Sequence, residues 1–340
     1  MISGFIWNSR GTGDVEKRSY INNNTLDHKV DFVGIQEMMR HDYPLDFLNK
    51  INGGQVFHWD GIPAQGKSGG TLVGVNEATY TVIDKSFGEY YVRFLVSSKI
   101  GNFTWNLVVV YGDAQVDGKA KFLMELVNVI RASACPILIA GDFNLTRKES
   151  DRNRPGGYNR WSAIFNAIIE QNDLMEICLT GRKYTWCNYH QDPTFALLDR
   201  VLVSPSWEEH FPLVVVSTLP SELSDHTPLL IKSGASLPTP STFRFENCWF
   251  QRPDLKDLVK NVWVKTYTGS NIDRWQKRFK CLRRVLKGWD RNVQGEYKRK
   301  RKSLAALLDE IDKRSEVSGL SVVDRAVQIE TKQQLKAIIR

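Results

Sequence analysis

The sequence predicts a mixed α/β domain over residues 1–233, a linker at 234–242 and a basic helical tail at 243–340. Three observations predict it. Apolar runs of strand length alternate with stretches of helical periodicity through the first two thirds of the chain. Four of those runs follow one another with only turn-length gaps, which favours antiparallel pairing and fits a purely parallel, doubly wound sheet poorly. Finally, residues 1–240 carry 22 Lys+Arg against 26 Asp+Glu, whereas residues 241–340 carry 24 against 12. A basic segment on a mildly acidic body favours polyanionic partners.

The strand-like runs lie at 2–7, 31–36, 70–75, 80–87, 91–97, 103–111, 136–140, 197–203 and 213–217. Most are rich in Val, Ile, Phe and Tyr and end on Gly, Pro, Asn or Asp, the composition of strands bounded by turns. Helices are expected at 16–29, 117–133 and 159–172; in the last, Trp161, Ile164, Phe165, Ile168 and Ile169 recur at helical spacing. Small residues and two prolines at 233–241 mark the linker. Beyond it, Trp275, Phe279, Leu282, Leu286 and Trp289 form a heptad-like stripe. The basic run Lys298–Lys302 follows, then Leu304, Leu307, Leu308 and Ile311.

Composition narrows the function classes. Hydrophobic residues make up 42% and charged residues 25% of the 340, which excludes a wholly disordered or collagen-like chain. No stretch approaches the roughly 18 apolar residues that suggest a membrane helix. The N-terminus lacks the basic and apolar regions of a secretory signal, and five cysteines without paired metal spacing suit a reduced compartment. Composition suits a cytoplasmic protein, neither secreted nor membrane-bound. One motif is a decoy. Residues 61–68, Gly-Ile-Pro-Ala-Gln-Gly-Lys-Ser, satisfy the P-loop pattern, but Gly69-Gly70 and a strand follow where a phosphate-cradling helix should begin.

Five short signals place polar groups at the ends of apolar runs: Trp7-Asn8, Gln36-Glu37, Tyr111, Gly141-Asp142-Phe143-Asn144 and Ser224-Asp225-His226. Each alone reads as an ordinary turn or cap. Strand ends at one sheet rim, however, can converge on a single cleft, which is where open sheets place ligands. Hydrolysis of a phosphodiester needs cations and hydrogen-bond donors around anionic oxygens, and a base that works near neutral pH. This residue set supplies both kinds of group.

Taken in order with Ser68-Gly69-Gly70 and Leu198-Asp199-Arg200, the series resembles the endonuclease/exonuclease/phosphatase superfamily. The nearest likeness is to the endonuclease domain of plant LINE-type (non-LTR) retrotransposon polyproteins, through Tyr184-Thr185-Trp186, Leu198–Leu202 and Phe243–Trp249. The resemblance implies a four-layer αββα sandwich over 1–233: two mixed β-sheets face to face, with helices outside. It implies a Mg2+-dependent DNA endonuclease, with Mn2+ as a substitute, leaving nicks with 3′-hydroxyl ends. A nuclear protein is expected only through this resemblance and the basic run Lys298–Lys302. Glu37 would be the principal metal ligand, supported by Asn8 and Asp225. His226 would face the scissile phosphate, held by Asp199; Asp142 would activate water or assist the leaving oxygen. Asn144 and Tyr111 would bind phosphate oxygens, and Thr185, Trp186, Arg200 and Ser224 would contact the DNA.

One departure stands out: after Tyr111 the chain reads Gly112-Asp113-Ala114-Gln115, where the LINE subgroup commonly has Pro and Asn. Two readings of the tail are open: a solvated helical face, or extra contacts to DNA or RNA with Lys298–Lys302 as a nuclear import signal. Two other functions compete with DNA nicking. One is a sibling phosphoesterase acting on an inositol phosphate, a sphingolipid or RNA. The other is a catalytically idle, nucleic-acid-binding retroelement remnant.

Overall fold

The computed structural model describes residues 1–65, 69–220, 223–234, 250, 253–264, 267–318 and 321–339. The linker expected at 234–242 and the Phe243–Trp249 stretch fall almost wholly outside these residues, as do Lys67 and Ser68 of the P-loop-like motif. In chain order the elements are β1 (Ser3–Asn8), α1 (Val15–His28), β2 (Phe32–Gln36), α2 (Leu45–Leu48), β3 (Phe57–Ile62), β4 (Thr71–Asn76), β5 (Tyr80–Phe87), β6 (Tyr91–Ser98), β7 (Thr104–Tyr111), α3 (Lys119–Arg131) and β8 (Ile137–Asp142). There follow α4 (Arg160–Gln171), β9 (Met175–Glu176), β10 (Leu179–Thr180), β11 (Trp186–Cys187), β12 (Phe195–Ala196), β13 (Asp199–Val203), α5 (Pro205–His210), β14 (Val215–Thr218) and β15 (Leu229–Lys232). The C-terminal helices are α6 (Pro253–Trp263), α7 (Asn271–Ser318) and α8 (Val322–Ile339).

Two mixed sheets form, in the orders β10-β14-β15-β1-β2-β4-β3 and β5-β6-β7-β8-β13-β9. Period-two alternation decides which side chains lie between them. Ile6, Phe32, Leu107, Val109, Leu138, Ala140, Val201 and Val203 share one buried cluster, drawn from both sheets. Their sequence neighbours face outward. Phe5, Trp7, Val33 and Ile35 meet Tyr20 and Ile21 of α1 and Phe47 of α2. Val108, Val110, Ile139 and Leu202 meet Phe122 and Leu126 of α3 and Phe165 and Ile168 of α4. The fold is therefore the αββα sandwich. Each fully buried large apolar side chain contributes roughly 1.5–3 kcal/mol.

The outer helices follow from local sequence. In α3, Phe122, Leu123, Leu126, Val129 and Ile130 recur on one face and are buried. In α4, the Asn159 side chain accepts from the Trp161 and Ser162 amides, an N-cap that fixes where the helix starts. The sheets approach closely beneath the rim. A Cβ on Gly34 would lie 2.8 Å from both Ile6 Cδ1 and Val109 Cγ2, so only glycine leaves room for side chains from both sheets.

One expected pairing differs. The four consecutive strands β4 to β7 do not form a single meander: β4 pairs with β2 and β3, while β5, β6 and β7 pair antiparallel in the other sheet. The turn between Asn76 and Tyr80 carries the chain across the sandwich, a change that turn length alone does not reveal. The P-loop-like motif starts at the end of β3, and β4 begins at Thr71, so a strand stands where a phosphate-binding helix would.

The chain falls into two compact units: Met1–Ala235 with Ala305–Arg340, and Ser236–Leu304. The division runs through α7. Part of the stretch expected as a tail thus belongs to the same unit as the sandwich. Within the second unit, Leu286 and Leu255 are buried together with Leu258, Leu282 and Trp289 beside them. Among the described residues, no helix is long and apolar enough to cross a membrane.

Candidate active site

The inward alternation of five strands continues to one rim and changes there from apolar to polar. On β1, Ile6 is followed two residues on by Asn8; on β2, Gly34 by Gln36; on β7, Val109 by Tyr111; on β8, Ala140 by Asp142. β13 runs antiparallel to β8, so its first residue, Asp199, stands opposite Asp142. β1 and β2 are parallel, as are β7 and β8, so their C-terminal ends meet at this rim. β15 is antiparallel to β1, with Leu229 opposite Ile6, which brings the preceding Ser224–Thr227 loop to the same place. Trp7 anchors that loop by donating from Nε1 to the His226 carbonyl at 3.2 Å.

At the floor, His226 Nδ1 lies 2.9 Å from Asp199 Oδ2 and Nε2 lies 3.6 Å from Asp142 Oδ2. An ionised carboxylate can only accept, so Asp199 fixes the proton on Nδ1 and aims Nε2 at Asp142. Burial disfavours charge on the imidazole, but the Asp199 and Asp142 carboxylates outweigh it and push His226 up to about 10. Asp142 is wholly buried. That burial, opposed by His226, lifts it above the usual carboxylate range. It accepts from the Asn8 amide at 3.0 Å, the Asn144 amide at 3.2 Å and the Asn144 backbone N–H at 2.9 Å.

Asn144 and Glu37 both adopt left-handed backbone, at φ 49° and 51°. Non-glycine residues take that conformation at a cost, and such residues cluster at functional sites. Glu37 is half-buried, and its charge acts on the Tyr111 hydroxyl. Burial, then the charges of Glu37 and Asp142, hold that phenol far above its ordinary pKa. Asp225 accepts from Arg10 Nη1 at 2.5 Å and from Trp186 Nε1 at 3.2 Å.

Asp142, Asp199 and His226 offer atoms within 4.8 Å of one another. Both imidazole nitrogens there already face carboxylates, an arrangement suited to holding a proton. The ligand set expected from the sequence is a different one, Glu37 with Asn8 and Asp225, oxygen donors of the kind that suits a hard divalent cation. Gln36 supports a fit on this side. Its amide is wholly buried on the inner face of β2, beside Asn8 in the adjacent strand, and neither polar atom has a hydrogen-bond partner among the described residues. An orphaned buried amide is costly and calls for a polar occupant nearby.

Three of the residues expected to touch DNA do something else. Arg200 is 2% exposed and pairs inside the fold: Nη2 meets Asp151 at 2.5 Å and Nη1 meets Glu176 at 2.5 Å. Thr185 is fully buried, and its hydroxyl oxygen accepts from the Leu198 and Asp199 amides at 3.1 and 3.0 Å. It therefore sets the start of β13 and, through it, Asp199. Ser224 is buried and donates to the Asn8 carbonyl at 2.9 Å, tying the histidine loop to β1. Trp186 remains half-exposed at the mouth. No sequence motif singled out Arg10, or Lys119, whose Nζ donates to the Asn144 carbonyl at 2.8 Å. Lys119 sits in a buried setting that lowers its pKa against the pull of Asp113 and Asp142. Ordinary surface-like surroundings in sequence hid both.

Residues 5–226 match the Endonuclease/Exonuclease/phosphatase family profile. The chain belongs to that family. Solved structures of similar fold agree with the family assignment. One is a 3′ phosphatase, NExo, from Neisseria bound to product DNA hairpin, with TM-score 0.55 and 15% identity over 69% of this chain and 100% of that one. Another is the endonuclease domain of TRAS1, a telomere-specific non-LTR retrotransposon, with TM-score 0.53 and 12% identity over 70% and 100%. A third is an AP endonuclease from Archaeoglobus fulgidus, with TM-score 0.53 and 15% identity over 69% and 100%. No curated protein matches the chain. Family membership makes the site that of a phosphoesterase or nuclease, a hydrolytic enzyme of a family that typically uses divalent metals.

Proposed function

We propose that the chain is a Mg2+-dependent endonuclease of LINE-retroelement descent that nicks DNA and leaves 3′-hydroxyl ends. The observation that carries this is the Asp199–His226–Asp142 line, with one imidazole nitrogen held at 2.9 Å and the other turned toward Asp142. Asp199 and Asp142 keep the imidazole charged, and Asp199 fixes its orientation. With both nitrogens protonated, His226 Nε2 donates to the scissile phosphate, offsetting charge that grows on its oxygens. Asp142, held by two asparagine amides, takes the proton of the attacking water or gives one to the leaving oxygen. Tyr111 donates to a remaining phosphate oxygen, while Asn144, expected to do the same, spends its two amide hydrogens on Asp142 and the Gly112 carbonyl; Trp186 packs against the DNA. Glu37, Asn8 and Asp225 would hold Mg2+, or Mn2+ in its place, which supplies positive charge to the phosphate oxygens when bound. The TRAS1 domain and the archaeal AP endonuclease, both named endonucleases, support a nucleic-acid substrate over a small phosphoester. A DNA substrate also suits nuclear action, with Lys298–Lys302 as the import signal.

Supercoiled plasmid tests the proposal. With Mg2+ the chain should convert it to open circles whose ends a polymerase extends, and chelation should abolish this. Glu37→Gln keeps the shape and removes the charge, so nicking should fall on the order of 100-fold. Retained DNA binding without nicking would point to an idle remnant. Activity only on small phosphoesters would point to a sibling phosphatase.

The first half of α7 exposes Lys277, Lys280, Arg283 and Arg284. If these neutralise DNA phosphates, changing all four to Gln should flatten the log-affinity against log-salt slope by roughly 0.9 for each phosphate no longer neutralised. Fluorescence anisotropy across a salt titration reads it, and an unchanged slope leaves them as a solvated face.

A further inference from the structure

We propose that the C-terminal helices, residues 305–339, brace the catalytic loop through Arg182, which acts as a positioning residue; this rests on the nuclease function proposed above. The link is continuous. His226 lies in a bridge with Trp186, while the Thr227 amide donates to the Thr185 carbonyl at 2.7 Å and the Cys187 amide to the Asp225 carbonyl at 3.1 Å. The strand segment 185–187 therefore forms one wall of the loop that carries Asp225 and His226. Behind that wall stands Arg182, only 8% exposed. Its Nη1 is 3.5 Å from Thr227 Oγ1, its Nη2 donates to Asp312 at 2.7 Å, and its Nε donates to Asp309 at 3.0 Å.

The helix side of this contact is built as an interior. Asp312, Ser315, Gln328 and Thr331 are buried along with Leu308, Ile311 and Leu335. Charged residues are almost never so buried unless paired. Gln328 donates to the second oxygen of Asp312 at 2.6 Å, fastening α8 to α7 at the carboxylate that holds Arg182. Further along the strand segment, Arg325 donates to the Tyr189 carbonyl at 3.0 Å and Lys332 lies 3.9 Å from the Tyr189 ring centre. The Lys183 amide donates to Glu316 at 3.2 Å. A cavity of about 20 Å³, room for a single water, is lined on one side by Trp186 and Asp225 and on the other by Asp312 and Glu316. α8 also lies against α1, so the helix pair is fixed at two places on the sandwich.

Outer partners that orient reacting groups typically matter 10–100-fold. Asp312→Asn in the full chain should lower plasmid-nicking kcat on the order of 10-fold with KM little changed. Arg182→Lys, which keeps a cation but loses the fork, should fall between. Amide hydrogen exchange gives a second readout that needs no activity. Protection at Cys187 and Thr227 should drop about 10-fold in Asp312→Asn while Val109 and Ala140 hold theirs. If exchange at Cys187 and Thr227 is unchanged, or all core amides quicken together, the brace is refuted. Wild type that does not nick, with the exchange difference present, would leave the brace standing and sink the nuclease function instead.

Discussion

His226→Ala should lower plasmid nicking about 10²- to 10⁴-fold while leaving DNA binding within a few-fold of wild type. The range is that of a positioned general acid–base group. The imidazole lies in a buried line of three side chains, and the scissile phosphate is the single duplex group it would address. Asp199→Asn should cost a comparable amount. An asparagine amide can donate as well as accept, so Nδ1 is no longer obliged to carry the proton, and Nε2 loses its fixed role. Asp142→Ala removes the group that both asparagine amides and the imidazole address. Because the three act as a unit, the double variant of His226 and Asp142 should lose about as much as the worse single one. Single-turnover nicking at fixed Mg2+ measures all of these. A His226→Ala enzyme that cuts within threefold of wild type would end the proposed mechanism.

Arg200→Ala should destabilise the folded state by about 3–5 kcal/mol, the cost of breaking a buried ion pair. The guanidinium bridges Asp151 and Glu176 with separate nitrogens and also donates to the Leu197 carbonyl. Removing it leaves Asp151, 2% exposed, as an uncompensated buried charge, the case in which losing a partner is most costly. Lysine would recover only part, since it lacks the planar fork that reaches two carboxylates at once. Denaturant midpoints for Arg200→Ala, Arg200→Lys and wild type test this. A change below about 1 kcal/mol with weakened DNA affinity would return Arg200 to the DNA-binding role its position in the sequence motif first implied.

Arg200 shows where sequence stops. A motif fixes which residue follows Asp199 but not which way it points, and the outward face of β13 turned out to be covered. Thr185 differs in the same way: its partners are the amides of Leu198 and Asp199, which no spacing rule discloses. What sequence does carry is the length and spacing of apolar runs. The strands ending at Asn8, Gln36, Tyr111 and Asp142 were visible because continuous apolar runs of strand length stop at polar residues, and α3 and α4 because their apolar residues repeat at helical spacing. The two-residue strands β9 to β12 are too short to have a period. Arg182 lies 127 and 130 residues from its carboxylate partners, and nothing local marks it. Composition correctly flagged a basic C-terminal stretch, yet Asp309, Asp312 and Glu316, the acids within it, make its contacts with Arg182 and Lys183.

The distance in sequence between Arg182 and its partners also orders events in time. A ribosome adds roughly 5–20 residues per second, so Gln328 is joined about 7–30 s after Arg182. A nascent chain halted just after Lys302 already holds every proposed catalytic side chain, but not the buttress behind the histidine loop. Competence to cut would then arrive late in translation, and chains released early would bind DNA more readily than they break it. Stalled ribosome–nascent-chain complexes of graded length, assayed for plasmid relaxation, would show at which residue cutting begins.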